Sequence, residues 1–496
     1  MSSSLTSLLL VLPVLLPLVS SLLIFSCGKH HRLANNLLPL FALLHLVVAV
    51  ALVVQVEQLG PVSVNLGNWP APFAISFIAD RLSSILVLTT SLVALLVMIT
   101  ARHDLADQPN YLLHLVGMNV LVAGVCGAFM TGDLFNLYVW FEVILIGSFV
   151  LMTLDSDRNR IEGATKYVAL NLVSTLVFLL AIGLLYGATG ALNLADLHTR
   201  ASELPVEYRL LIASLFMFGF AIKAAVFPLY SWLPASYHLL PGATAALFAA
   251  LPTKVGIYAM LRFFSLVMPL PETGLQPVLA WLAALTMLVG VAGALAQPDV
   301  RRKMSFLIIA SIGYLVMGIA IFTPLSITGT IFYLVHAMVL KALLLLVAAR
   351  MNSLYGHDDF ENMGGLAKAQ PLLAVCFLIA IFSMAGFPPF SGFWGKFILV
   401  RAGIEAGYGA LVGVALLVGL LTLFALLRIW TRAFWRTAEG DGPDTDIDWN
   451  YDGPILVLTL ISLALGLYMV PLYEWAAGAN LLNPTDYVDA LLGASR

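Results

Sequence analysis

The sequence predicts an all-α polytopic membrane protein with about fourteen transmembrane helices, and three observations predict it. Of 496 residues 61% are hydrophobic and 10% charged, where a soluble chain carries about 25% charged residues. Apolar stretches of about 20 residues, the length that spans the hydrocarbon of a bilayer, recur fourteen times. Finally, 14 of the 24 lysines and arginines gather in alternate connections between these stretches.

The apolar segments lie near 5–26, 34–55, 77–100, 111–130, 132–154, 167–189, 209–233, 241–262, 275–296, 304–323, 327–349, 371–400, 411–436 and 454–475. The first begins MSSSLTSLLLVLPVLL, without the basic leader and small-residue cleavage site of a signal peptide, and reads as a retained helix. The connections are short. The longest, Glu439 to Asp452, holds six carboxylates and no cation, and none is large enough for an extramembrane catalytic or nucleotide-binding domain. Six basic residues, Arg81, Arg200, Arg209, Arg262, Arg401 and Arg496, lie on the poorer side and four lysines lie inside spans. The positive-inside rule makes the richer side cytoplasmic and puts both termini outside. The net charge of −3 gives no reason to expect nucleic acid as a partner, and Cys27, Cys126 and Cys376 are too scattered for a disulfide framework or a metal site. No cofactor and no metal are expected.

The chemistry lies in the intramembrane charges. The seventh segment, LLIASLFMFGFAIKAAVFPLYSWLPAS from Leu210 to Ser236, carries Lys223 near its middle and Pro228 five residues later. A lysine at mid-bilayer costs roughly 2.5–3.5 kcal/mol on insertion scales, so it needs a partner, a wet cavity or a task. The proline removes an intrahelical hydrogen bond, and a helix broken at membrane depth is tolerated only within protein or beside water. Glu142 in the fifth segment, Lys254 in the eighth, Lys341 in the eleventh and Lys396 in the twelfth are similarly placed. One such lysine is explained by snorkelling to the interface, which stays open for Lys396 near the end of its span. Five titratable groups at membrane depth are what a proton or cation path requires. Burial lowers the proton affinity of a lysine and a nearby carboxylate restores it, so a movable carboxylate makes a buried lysine a proton switch. Glu142, the one mid-span carboxylate, is the expected partner of Lys223. His336, five residues before Lys341, is either a relay member or a hydrogen-bonded core histidine. His238, in WLPASYHLLPGA, either feeds protons to Lys254 or bonds within the helix link. Pro388, Pro389, Gly386, Gly392 and Gly395 break the twelfth segment just before Lys396, as Pro228 breaks the seventh, which suggests inverted repeats with sites at the breaks. Asp133 reads as an N-cap, Asp80 as a local ion pair with Arg81, and QPDVRRKMSF (297–306) as a cytoplasmic basic cluster.

These residues resemble the antiporter-like subunits shared by Mrp-type multisubunit cation/proton antiporters and respiratory complex I. The resemblance covers nearly the whole chain. It is carried by FEV at Glu142, by FAIKAAVFPLYSWLPASYHLLPGATAALFAALPTK with Lys223 and Lys254, by QPDVRRKMSFLIIASIGY, and by HAMVLKALLLL with Lys341. It implies that Glu142 and Lys223 form a coupling pair, that Lys254 and Lys341 carry a lateral proton path, and that Lys396 ends it. NLGNWPAPFAISFIAD (65–80), the lysine at 396 and the short C-terminal end are most similar to the D-type subunits of Mrp antiporters.

The resulting expectation is three N-terminal helices (1–110), a first five-helix repeat (111–262), a second (275–436), and an acidic connection with a last helix (437–496). The expected function is proton translocation within a sodium (or other monovalent cation)/proton antiporter of a bacterial inner membrane, with the other antiporter subunits and the bilayer as partners. It is expected to be a transporter subunit and not an enzyme. The alternatives are a proton-pumping subunit of an NADH:quinone oxidoreductase or membrane-bound hydrogenase, a structural scaffold, and a self-sufficient transporter of an organic substrate.

Overall fold

The computed structural model describes residues 3–28, 30–69, 74–155, 157–438 and 442–493. Lys29, residues 70–73 of the 65–80 stretch, Glu439 and Asp441 of the acidic connection, and Arg496 lie outside the described residues. The chain is helical almost throughout. Helices α1 (Ser3–Ser26), α2 (His31–Leu59), α3 (Arg81–Asp104), α4 (Tyr111–Met130), α5 (Leu134–Thr153) and α6 (Arg158–Thr189) account for the first six apolar segments. After the short α7 (Leu194–Arg200), the seventh segment is divided into α8 (Val206–Ala224) and α9 (Trp232–Ser236). The eighth is α10 (Gly242–Ala250) and α11 (Pro252–Leu266), followed by α12 (Gln276–Ala296), α13 (Val300–Ile321) and α14 (Pro324–Tyr355). A four-residue α15 (Leu366–Ala369) leads to the twelfth segment, again divided, as α16 (Pro371–Ala385) and α17 (Ser391–Glu405). Helix α18 (Gly409–Ile429) ends in a π-helical turn at Trp430–Trp435, and α19 (Trp449–Leu467), α20 (Met469–Ala477) and α21 (Thr485–Gly493) complete the chain.

Among the described residues twelve helical stretches are long and apolar enough to cross a membrane. The two remaining predicted segments, 209–233 and 371–400, are the broken ones. Each first half ends on a left-handed residue, Ala225 (φ 59°) and Gly386 (φ 91°), before a proline-containing turn, and the Phe227–Pro228 and Pro388–Pro389 peptides are cis. Glycine adopts that backbone freely, whereas Ala225 does so against its Cβ. One element has no counterpart among the sequence expectations. Antiparallel strands β1 (Val62–Asn65) and β2 (Ser76–Ala79) pair Val62 with Ala79 between α2 and α3, too short to register as a periodic pattern.

Burial grades from rim to centre. The α10–α11 unit is buried along its full length, α14 is buried from Ser326 to Met351 and α13 nearly so, while α2, α6 and α18 keep wide exposed apolar faces. In water such faces are a liability; here they fit lipid or neighbouring chains. Lys254, Lys341 and Lys396 sit on or against the central helices, whereas Lys223 on α8 bonds outward to α6.

Asp80 corrects a sequence expectation. It does not pair with Arg81, because consecutive residues at a helix start point to different sides. Asp80 Oδ1 accepts from Ser83 N at 2.8 Å to cap α3, and Asp80 Oδ2 takes Arg262 Nη1 at 2.8 Å. Arg81 pairs instead with Glu57 at 3.2 Å in a half-exposed bridge. Burial alone raises the Asp80 carboxyl, but the Arg262 guanidinium and the Ser83 hydrogen bonds outweigh it and hold Asp80 below the usual carboxylate range. The pair therefore contributes stability above the ordinary carboxylate range, and loses it progressively as pH falls from that range through the depressed value. Arg262→Ala strands a buried carboxylate and is expected to cost about 3–5 kcal/mol, read as a lower thermal inactivation temperature of the purified protein. Glu57→Gln is expected to cost less than about 1 kcal/mol.

Candidate functional site

The four spanning lysines are buried, with 8%, 1%, 1% and 8% of Lys223, Lys254, Lys341 and Lys396 exposed. That burial rules out snorkelling for Lys396. Their ammonium groups find oxygen and sulfur acceptors but, among the described residues, no carboxylate within ion-pair distance.

Lys223, next to last in α8, places Nζ 3.2 Å from Thr175 Oγ1 and 3.5 Å from the Asn171 carbonyl on α6. It also lies 5.3 Å from the centroid of the Phe141 ring on α5, within cation–π range. Glu142 is the next residue along α5, yet no ion pair joins Glu142 to Lys223, and Glu142 Oε1 is buried without a hydrogen-bond partner. The expected pair thus stands adjacent but open, with an unsatisfied carboxylate oxygen on one side.

Lys254 is the third residue of α11 and donates to the Ala249 carbonyl at the C-terminal end of α10. Gly256 sets its distance from the α8 terminus: a Cβ there would lie 2.7 Å from Ala224 N and 2.9 Å from Lys223 C. Without a side chain, α11 can press directly on the segment that carries Lys223. Lys341, in mid α14, reaches the Leu307 carbonyl of α13 at 3.0 Å and Met384 Sδ of α16 at 3.1 Å. Lys396 donates to the Met384 and Ala385 carbonyls at 2.9 and 3.0 Å and lies 4.6 Å from the Tyr314 ring centroid. Met384 is thus touched by both lysines. Two of the four, Lys254 and Lys396, cap the C-terminal carbonyls of short half-helices, where unpaired oxygens and the negative end of the helix dipole favour a cation. Each break that frees carbonyls is followed by the lysine that uses them.

No hydrogen bond joins His336 to Lys341; five residues along a helix turn through about 140°, and His336 faces α17 instead, with Nδ1 2.8 Å from Ser391 Oγ. His238 lies in the one-turn helix Tyr237–Leu239, with Nδ1 buried and unpartnered. Burial, then the charges of Arg302 and Arg301, lower it to about 4, so its ring is uncharged at neutral pH in this conformation. Asp133 caps α5 by accepting from Asn136 N at 2.7 Å.

Other buried polar groups carry no signal in the sequence alone. His45, in mid α2, lies 3.4 Å from Ser91 Oγ and 3.7 Å from Cys126 Sγ. Lys303, within the basic cluster 297–306, is fully buried and donates to the Ala294 carbonyl at 2.9 Å. On α11, Lys254, Tyr258 and Arg262 recur every four residues, and Tyr258 donates to the Phe129 carbonyl at 2.7 Å. That spacing is legible, although Arg262 at its outer end reads as the start of a connection.

Packed helices connect these groups without interruption: α5 on α6, α6 on α8, α8 on α11, α10 on α14, and α14 on α16 and α17. Residues 131–422, which hold Glu142 and all four lysines, match the family described as NADH:quinone oxidoreductase/Mrp antiporter, transmembrane. The chain belongs to that family. It is 38% identical over 492 residues to a protein of Alkalihalophilus pseudofirmus named as the D subunit of a Na(+)/H(+) antiporter, covering 98% of this chain and 99% of that one. Its structure is similar to a chain of the Mrp complex from a Dietzia species, with a TM-score of 0.92, 32% identity, and coverage of 98% and 100%. It is also similar to a chain of respiratory complex I from Thermus thermophilus, with a TM-score of 0.83, 27% identity, and coverage of 96% and 100%. The chain is accordingly a multi-pass membrane protein with an Mrp/complex I-like antiporter fold.

Proposed function

We propose that this chain is the proton-carrying subunit of an Mrp-type multisubunit sodium (or other monovalent cation)/proton antiporter. The observation that carries the reading is the set of four buried lysines bonded to carbonyls, hydroxyls and a thioether in place of counter-ions. A buried ammonium without a carboxylate is held in balance, since desolvation disfavours its charge and the carbonyl dipoles favour it. Such a group changes protonation when a neighbouring charge moves. Protons would enter at Glu142 and Lys223, pass Lys254 and Lys341, and leave by Lys396, with His336 beside the last transfer. His238 would join the path only in a conformation that moves it away from Arg301 and Arg302.

In this reading the two broken segments are also membrane spans, which brings the total to fourteen, with helices 4–8 and 9–13 as two inverted repeats and both termini outside the inner membrane. The other antiporter subunits would supply the cation route, since a row of lysines suits protons better than sodium. The identity to the D-type relative favours an antiporter over a redox-driven pump of the complex I kind.

Isolation of the assembled complex from its native membrane tests the choice. An antiporter complex is expected to bring small hydrophobic subunits and to release protons from acid-loaded vesicles on addition of sodium. Recovery of flavin or iron–sulfur subunits, with proton movement that follows a reductant and ignores sodium, would overturn it.

A further inference from the structure

Three buried serines outside the row of charges meet His336 beside the second break. Ser391 Oγ lies 3.0 Å from Ser383 Oγ and 3.0 Å from Ser462 Oγ, and Ser383 to Ser462 closes the triangle at 3.1 Å. The hydroxyls come from α17, α16 and α19, and all are shut off from solvent. Gly392 permits the convergence: a Cβ there would fall 1.8 Å from the Ser383 carbonyl oxygen and 3.1 Å from His336 Cε1.

Counting protons fixes the state of the cluster. It has four contacts, three within the triangle and one from Ser391 to His336 Nδ1, while each hydroxyl owns a single hydrogen. All four are made only when His336 supplies the fourth hydrogen from Nδ1 and each serine donates to the next. Nε2 is then a bare acceptor, and it is buried with no partner. A histidine kept only for packing has its buried nitrogens satisfied. This one has an empty proton-accepting nitrogen on one side and a hydroxyl ring on the other.

The register of the two breaks points to the same place. Lys223 stands four residues before Phe227–Pro228 and Ser231 four residues after that phenylalanine; Ser383 and Ser391 hold the same positions about Phe387–Pro388. Hydroxyls thus occupy the positions that carry Lys223 and Ser231 at the first break. Helix α19 is fitted against the second break, where a Cβ on Gly466 would lie 2.4 Å from the Pro389 carbonyl oxygen. Phe387, Pro388 and Pro389 are exposed there, and backbone broken at membrane depth must meet water or protein.

We propose that His336, Ser391, Ser383 and Ser462 form a proton outlet toward α19, distinct from Lys396. The proposal rests on the proton-transport reading above. A proton binds Nε2 as the Nδ1 proton passes to Ser391 Oγ; Ser391 passes its own hydrogen to Ser383 and Ser383 passes its own to Ser462, and Ser462, closed off in this conformation, breaks its contact with Ser391 and turns its hydroxyl out of the ring to release one proton to water admitted at the break beside Gly466. No hydroxyl retains charge. His336 is left neutral with its proton on Nε2, and the ring and the hydroxyl rotors then turn back to reset the wire.

The test uses the assembled complex in sodium-loaded vesicles. Ser462→Ala and Ser391→Ala, on different helices, are each expected to lower the maximal exchange rate at least about tenfold. Half-saturating sodium should stay unchanged and the slowing in deuterium oxide should grow, neither of which a simple packing defect predicts. If one variant fails to assemble, the other decides. Wild-type rates in the assembled serine variants, in a preparation where Lys223→Ala is inactive, would overturn the outlet and leave the transport reading standing. Exchange by Lys223→Ala itself would overturn both.

Discussion

Lys223→Ala is expected to abolish sodium-driven proton movement in vesicles, a loss of about 100-fold or more, while the complex still assembles. The geometry explains why folding should survive. The acceptors of Lys223, Thr175 Oγ1 and the Asn171 carbonyl, already bond to each other at 3.0 Å, and no carboxylate is paired with the ammonium. Removing it therefore strands no charge and leaves these acceptors bonded, unlike the break of a true buried ion pair. Lys223→Arg separates charge from proton transfer. Arginine keeps the positive charge and cannot release a proton in a protein, so it should be as inactive as alanine. Full exchange by either variant would remove Lys223 from the path.

Glu142→Gln is expected to give a loss of the same order, measured as sodium-driven proton release in the same vesicles. Glutamine has the shape of glutamate but cannot hold a proton or a negative charge. Glu142 Oε1 is buried with no partner, so the substitution breaks no hydrogen bond at that atom and should not lower thermal stability. A scaffold role predicts unaltered exchange, which makes this variant the sharpest contrast between a path and a packing motif. The open arrangement of Glu142 and Lys223, with the ring of the neighbouring Phe141 5.3 Å from the ammonium, also gives the pair somewhere to move. In a switch the carboxylate would approach and withdraw, and the lysine would follow in its proton affinity.

The legible part of the site follows from solvent. Lys223, Lys254, Lys341, Lys396 and Glu142 stand out because charge in hydrocarbon is expensive whatever the fold, and Pro228 and Pro388–Pro389 mark the breaks because proline has no N–H to give. Arg262 and Lys303 stay hidden because a basic residue near a span end reads as loop until packing buries it. His45, Ser383, Ser391 and Ser462 stay hidden because small polar residues in spans are common, and only convergence from separate helices makes them a site. The β1–β2 pair is too short to register.

The sequence by itself determined that this chain lives in a bilayer, that its seventh and twelfth segments break, and which five charged side chains stand within apolar segments, since all three follow from the cost of polar groups in an apolar medium. The tertiary structure alone decided what each charge faces. It replaced the Asp80–Arg81 pair by Asp80–Arg262, left Glu142 and Lys223 adjacent but unbonded, bonded His336 to Ser391, and set Met384 between two lysines. Partners are chosen by helices distant in sequence that come together through glycines such as Gly256 and Gly392, and no local pattern encodes that choice.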